Sequence, residues 1–458
     1  MYNVKLLKNV IMKNKMKALV LFFAIATSQA VYSQEISFDS EKSAEIKNYI
    51  KHFEDSNQLM GTVSIFQNGR EVINETFGKR NIKTGSLEER KYAIGSTTKL
   101  FVGVLFAKLK EDNRISFVEN LSNYFPEIPN ANKISIRQML NHTSGLRDYV
   151  SKGDSLHFWL TKPRATEEIM DEIISAGVAF QPGDSFEYSN SAYYLLGKIL
   201  EEKYNKSFSQ IIQDEISAPL NLENTFVIDD EAEQNSIAKS YEQKKGEWVE
   251  VEEFYFPNTF SAGGIASTAF DLNTLLVSLF NQEIIKDKTL KAMLPMEDDW
   301  FGLGIMKAPF YEHTSYGHGG DTYGTHSVAM YNPSNRLAVT YMINGEHYPT
   351  NDFAIGLLSI MYGKEYTLPD FKEYKGNEKY FELYEGNYGA EGFPMNVKIY
   401  VEEGELKAQA EGQPSFTLTP TEKHVFEFSK AGIEIGFKPF ENTLILNQGG
   451  QVFELKQL

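Results

Sequence analysis

The chain has 458 residues, 42% of them hydrophobic and 23% charged, with 62 acidic against 45 basic side chains, a formal charge of −17 and no cysteine. The absence of cysteine excludes structural disulfides, a thiol nucleophile and Cys-ligated zinc. The acidic balance makes nucleic acid and anionic membrane surfaces poor partners, which leaves small molecules or peptides, and the length suffices for two or three domains.

Residues 1–33 stand apart. Lys5, Lys8, Lys13, Lys15 and Lys17 precede an apolar run from Ala18 to Ala26, followed by small and polar residues with Val31 and Ser33 at the positions a signal peptidase reads. This predicts a secretory signal cleaved before Gln34, with an apolar run too short to span a bilayer, so no stable membrane insertion is expected after cleavage. Losing five lysines and no acid takes the formal charge from −17 to −22. Export without disulfides suits a bacterial envelope protein, periplasmic or secreted.

Beyond the leader, "SEKSAEIKNYIKHFEDS" places Ile46, Ile50 and Phe53 at helical spacing. "MGTVSIFQNGREVINETFGKRN" alternates apolar and polar residues around Asn68-Gly69 and predicts a β-hairpin. "AIGSTTKLFVG" (93–103) then opens a helix that Leu100, Val104, Leu105 and Leu109 continue to Asp112-Asn113. "LNHTSGLRDYV" (140–150) is turn-rich, "AYYLLGKILEEKYN" (192–205) is helical, and "SAGGIASTAFDLNTLLVSLF" (261–280) runs from a glycine pair into a helix with Thr268 and Asp271 spaced as a capping box. "FGLGIMKA" and "HSVAMYNPSNRLAVTYMING" read as strands, the second a hairpin around Pro333-Ser334-Asn335, and "FAIGLLSIMYG" (353–363) as a closing helix.

Strands from both ends with helices between predict an α/β (α+β) domain over residues 34–367: an antiparallel sheet flanked by helices, plus an all-helical region. From residue 368 the texture changes to short alternating strands punctuated by Gly, Asn and Pro. That predicts a second domain, 368–458, a small all-β antiparallel barrel of lipocalin-like character.

Three short segments carry the chemistry. Ser96-x-x-Lys99 puts a hydroxyl and an amine on one helix face, and a buried lysine loses its proton readily enough to take one from serine. The chain's other Ser-x-x-Lys, "SIAK" at 236–239, lies in a polar run with no apolar helix behind it. Tyr188-Ser189-Asn190 follows Pro182-Gly183 and precedes a helix, where a loop could aim a phenol and an amide into a cleft. His318-Gly319-Gly320 has the glycines of a strand whose backbone a ligand approaches closely.

In this order, "STTK", "YSN" and "HGG", the chain resembles the serine hydrolases related to class C β-lactamases and D-alanyl-D-alanine carboxypeptidases, a penicillin-binding-protein-like family. "LNHTSGL" and "SAGGIASTAFDL" look like further signatures, and the resemblance covers roughly residues 40–362. It implies a β-lactamase/transpeptidase-like fold with Ser96 as the acylated nucleophile and Lys99 and Tyr188 sharing the general-base and general-acid work. It further implies that Asn190, His318, Gly319, Gly320 and Asp321 bind substrate, with the backbone N–H groups of Ser96 and Asp321 forming the oxyanion hole. Which of Lys99 and Tyr188 is the base stays open, and no metal or cofactor is expected.

One departure bears on substrate. Dedicated class C β-lactamases carry Lys-Thr-Gly where this chain has His318-Gly319-Gly320, and an imidazole, titrating near neutrality, is a conditional cation. The expectation is an exported carboxypeptidase or peptidase acting on D-amino-acid peptides, with esterase and β-lactamase as alternatives. A non-catalytic peptidoglycan- or penicillin-binding sensor keeps the fold without the chemistry. His142 and His326 lie within or beside these motifs, where they could line the cleft.

Overall fold

In the computed structural model, the described residues are 38, 40–78, 90–150, 160–244, 246–371, 378–390, 393, 395–448 and 451–458. The expected leader and its cleavage point lie outside them.

Helix α1 (Ser40–Asp55) buries Ile46, Tyr49, Ile50 and Phe53, the face its spacing predicts. Strands β1 (Leu59–Gln67) and β2 (Arg70–Phe77) form the expected hairpin. Its turn residues Asn68 and Gly69 both have positive φ, 51° and 76°, as a tight hairpin turn requires. The short β3 (Tyr92–Ala93) leads through a single 3-10 turn, Gly95–Thr97, into α2 (Thr98–Glu111). The middle of the chain supplies α3 (Asn190–Tyr204), β4 (Phe226–Val227), β5 (Tyr241–Lys244), β6 (Glu247–Glu250), β7 (Ile265–Ser267) and α4 (Ala269–Phe280). The Thr268 side chain caps α4 by accepting from the Asp271 amide at 3.1 Å. Then come β8 (Met306–Phe310), β9 (His313–Asp321), β10 (His326–Asn332), β11 (Leu337–Glu346) and α5 (Thr350–Tyr362), which ends on Gly363 at φ 63°.

The main sheet runs β2-β1-β11-β10-β9-β8, antiparallel along this path, with β5 pairing parallel to the end of β11 and carrying β6, so the N-terminal hairpin joins the C-terminal strands through β1–β11. Strand β11 is buried on both faces and shows why alternation matters. Leu337, Val339, Tyr341 and Ile343 pack under α1 and α5, whereas Ala338 and Met342 face α2, α3 and α4 across the larger core.

"FGLGIMKA" departs from its reading as one strand. Only Met306–Phe310 is strand; Phe301 makes an isolated bridge and Gly304 takes φ 76°. The cause is packing against α2: a side chain on Gly103 would meet the Leu303 carbonyl oxygen at 2.4 Å, and one on Gly304 the Lys99 carbonyl oxygen at 2.6 Å.

After α5 the chain forms a nine-stranded antiparallel sheet from β12 (Gly386–Gly389), β13 (Val397–Glu402), β14 (Glu405–Ala410), β15 (Phe416–Thr417), β16 (Thr419–Glu422), β17 (Val425–Phe428), β18 (Ile433–Lys438), β19 (Thr443–Gln448) and β20 (Gln451–Gln457). Pairing of β12 with β20 wraps it into a nearly closed barrel, left open between β15 and β16. Ile399, Leu406, Phe426, Ile435, Leu444 and Leu455 form its interior.

Candidate active site

Ser96 sits in the 3-10 turn that starts α2, a location created by two glycines. Gly95 has φ 49°, and a side chain there would meet the Asp321 carbonyl oxygen at 2.7 Å. A side chain on Gly320 would lie 2.1 Å from the Ile94 carbonyl oxygen and 2.7 Å from the Ser96 nitrogen. Strand β9 can therefore lie against the Ser96 turn only with glycine at 320, which brings the backbone of Asp321 beside that of Ser96. Ser327 on β10 locks the approach, sharing a 2.9 Å hydrogen bond with Thr97 Oγ1 and donating to the Ile94 carbonyl at 2.8 Å. Gly319 has no such steric demand: a side chain there would find only ordinary contact, at 3.7 Å.

One turn further along α2, Lys99 is fully buried and its Nζ lies 2.9 Å from Ser96 Oγ, 2.7 Å from Asn190 Oδ1 and 2.6 Å from the Ala262 carbonyl oxygen. Burial lowers its pKa to about 7, against an opposing upward pull from Asp148. The Tyr188-Ser189-Asn190 segment divides its labour. Ser189 caps α3 by accepting from the Ala192 amide at 3.1 Å, which leaves the side chains on either side of it for the cleft. Asn190 donates through Nδ2 to Asp148 Oδ2 at 2.8 Å. Tyr188 hydrogen-bonds Ser96, lies with its ring 4.9 Å from Lys99 Nζ, and has its hydroxyl pKa raised by burial, so it remains protonated at neutral pH.

His318 differs from the conditional cation expected of it. It is 1% exposed, and burial together with the neighbouring Lys99 lowers its pKa to about 3. The imidazole is neutral, with Nδ1 2.5 Å from the Gly319 carbonyl oxygen. The structure thus brings Ser96, Lys99, Tyr188, Asn190, His318, Gly320 and Asp321 to one cleft.

Asp148 was not singled out by sequence reasoning. Its only signal was its place in "GLRDYV" directly behind "LNHTSGL". Its two oxygens accept from the Val150 amide at 2.9 Å and from Asn190, the pattern of a carboxylate. Phe301 packs its ring 5.5 Å from His318 and 4.6 Å from His142. Beside Ser96 lies a small cavity of about 80 Å³ walled by Tyr149, Val150, Phe254, Phe256, Thr259 and Ala262. The decoy pair is elsewhere: Ser236 donates to the Glu233 carbonyl and Lys239 to Asn235, both exposed.

Solved structures share this architecture. The D-amino acid amidase of Ochrobactrum anthropi SV3, complexed with L-phenylalanine amide, superposes with a TM-score of 0.63 at 22% identity, over 71% of this chain and 99% of its own. The octameric penicillin-binding protein homologue from Pyrococcus abyssi gives 0.62 at 23% identity and spans 90% of this chain and 99% of its own. In sequence, the teichoic acid D-alanine hydrolase of Staphylococcus aureus is 22% identical over 257 residues, 56% of this chain. The chain spans just under two thirds of the curated relatives it matches, 62% of this one and 66% of a Bacillus subtilis relative, PbpX. The Beta-lactamase family model matches residues 46–358, more than two thirds of the sequence and all of the cleft described above; the chain belongs to the beta-lactamase family of serine hydrolases.

Proposed function

We propose that the protein is an exported hydrolase that cleaves D-aminoacyl amides or esters through an acyl-enzyme on Ser96. The observation that carries this reading is the neutral, buried His318 on β9. A carboxypeptidase or β-lactamase substrate presents a carboxylate, which calls for a fixed cation on this strand. An aminoacyl ester or amide presents an ammonium instead, and the small cavity beside Ser96 suits a short side chain. The likeness to a D-amino acid amidase and to a teichoic acid D-alanine hydrolase supports the same class. Export rests on the expected leader at residues 1–33.

The chemistry follows from the contacts at Lys99. A neutral amine has two N–H bonds and one lone pair. Asn190 Oδ1 and the Ala262 carbonyl accept the two hydrogens, so the lone pair points at Ser96 Oγ. Ser96 Oγ attacks the acyl carbon as its proton passes to Lys99 Nζ, and the N–H groups of Ser96 and Asp321 hold the resulting oxyanion. On collapse the C–N or C–O bond breaks, the leaving group takes a proton through Tyr188, and Lys99 returns to the neutral amine. Water then repeats the sequence in reverse to release the acid.

Intact-mass measurement on the wild type and Ser96→Ala, each exposed to a D-alanyl ester, a D-Ala-D-Ala peptide and penicillin, tests this. The wild type should gain the alanyl mass transiently and turn the ester over faster than the peptide; the variant should gain nothing and stay folded. Hydrolysis by Ser96→Ala would overturn the nucleophile. Preference for the carboxylate-bearing peptide would overturn the substrate class and restore the carboxypeptidase reading.

A further inference from the structure

Two buried imidazole nitrogens next to the cleft have no hydrogen-bond partner among the described residues: Nε2 of His142 and Nε2 of His318. His142 is fully buried and His318 1% exposed, so neither atom is compensated by bulk water. Their hydrogen-bonding characters are fixed, and opposite. His142 Nδ1 accepts from the Ser189 amide at 3.1 Å, so the proton of the neutral ring sits on Nε2, a donor. His318 Nδ1 faces the Gly319 carbonyl oxygen at 2.5 Å and must donate to it, which leaves Nε2 as a bare acceptor. Both rings contact the Phe301 ring, at 4.6 and 5.5 Å, and His142 also lies tilted against Tyr188 at 4.2 Å. The two rings share Phe301 as a neighbour, and no direct hydrogen bond joins them.

We propose that His142 and His318 together form a site for one buried water molecule, which accepts from His142 Nε2–H and donates to His318 Nε2. Two polar partners of opposite character inside an otherwise aromatic wall are what a single internal water requires. Its consequence is positional. By occupying the Nε2 lone pair of His318, the water favours the Nδ1–H tautomer and with it the bond to the Gly319 carbonyl. That bond holds β9 one residue before Gly320, the point at which the strand meets the Ser96 turn. His142 is then a positioning residue acting through His318.

Nitrogen-15 NMR of the full chain with labelled histidine tests the assignment without any variant. His142 should show a protonated Nε2, His318 a protonated Nδ1, and a crystal structure should show one water within hydrogen-bond distance of both Nε2 atoms. The opposite tautomer at either ring, or a dry space between them, would overturn the proposal. Kinetics add a readout that depends on the hydrolase reading above, whereas the spectra do not. His142→Phe removes the donor and should lower kcat/KM by roughly tenfold, the cost of stranding a buried polar group. His142→Gln, which can donate from its amide, should recover most of that loss. His142→Phe and His318→Phe combined should cost little more than the larger single effect, since both break one bridge. Additive losses, or no rescue by glutamine, would count against a shared water.

Discussion

Lys99 is the residue on which the pH dependence of the enzyme should turn. Its pKa of about 7 means that the neutral, proton-accepting form falls away as pH drops, so kcat/KM should decline about tenfold per unit below pH 7 and level off above it. Tyr188 moves the other way, away from neutrality, and contributes no limb in this range. Asp148 supplies the check. Its charge pulls the Lys99 pKa upward, so Asp148→Asn should shift the acid limb to lower pH, measured as the midpoint of a kcat/KM–pH profile. An unmoved or raised midpoint would show that another group sets the limb. The same carboxylate holds the Asn190 amide with its oxygen toward Lys99, so the variant should also lower the plateau. At this scale the sequence was legible where chemistry is local: Ser96 and Lys99 share a helix face, and Tyr188 and Asn190 flank a cap. It was not legible for His318, whose protonation depends on burial by Phe301 and on Lys99, residues remote in the chain.

Among the elements, the adjoining ends of β9, β10 and β11 are tied by one ring. His326 Nδ1 lies 2.7 Å from Asp321 Oδ1, and its Nε2 lies 2.9 Å from Glu346 Oε2. Burial opposes the charged ring, but the two carboxylates outweigh it and raise the pKa to about 10. Because this exceeds the ordinary histidine value near 6.5, the folded state holds the proton more tightly. The stabilisation is therefore full below about pH 6.5 and lost as pH rises through about 10. His326→Gln should lower stability at pH 6 by about 1 kcal/mol, the exposed side of the clamp being screened by solvent. Denaturant unfolding of both proteins at pH 6 and above pH 10 should show that gap closing; a gap constant with pH would mean that the ring contributes packing alone. Since Asp321 also offers the proposed oxyanion donor, the variant should lower kcat more than it raises KM. The hairpins around Asn68-Gly69 and Pro333-Ser334-Asn335 were readable because turn chemistry and period-2 alternation are local signals. "FGLGI" misled because its glycines serve a close approach to α2, a non-local demand that resembles a buried strand in sequence.

For the whole molecule, the open matter is what the barrel does for the cleft. Its change of texture was visible in sequence, since short alternating strands need no long-range information to be recognised. Its placement was not, because docking uses only a few side chains. The 3-10 turn Ser429–Ala431 reaches the hydrolase domain, where Ser429 and Lys430 line a cavity of about 360 Å³ with Tyr241, Tyr323, His326 and His347. Tyr323 and His326 flank the turn that follows Asp321, while Asp321 and Thr322 line the cavity beside Ser96. The two cavities thus adjoin opposite parts of one turn, and the barrel walls the outer one. Among the described residues the barrel's apolar interior draws on 380–455, so removing it takes nothing from the cores around α1, α2 and α5. A chain ending at Phe371, which keeps the ring of that residue stacked 5.0 Å from His52, should therefore remain folded and hydrolyse a small D-alanyl amide almost as well as the full chain. Its kcat/KM should rise for substrates whose leaving group is too bulky to pass the Ser429–Ala431 turn, because that wall is gone. Parallel assays of the two proteins on small and bulky leaving groups decide it: an unchanged ratio would mean that the barrel does not select substrates by size, and loss of the small-substrate activity would mean that it instead holds the turn after Asp321 in place.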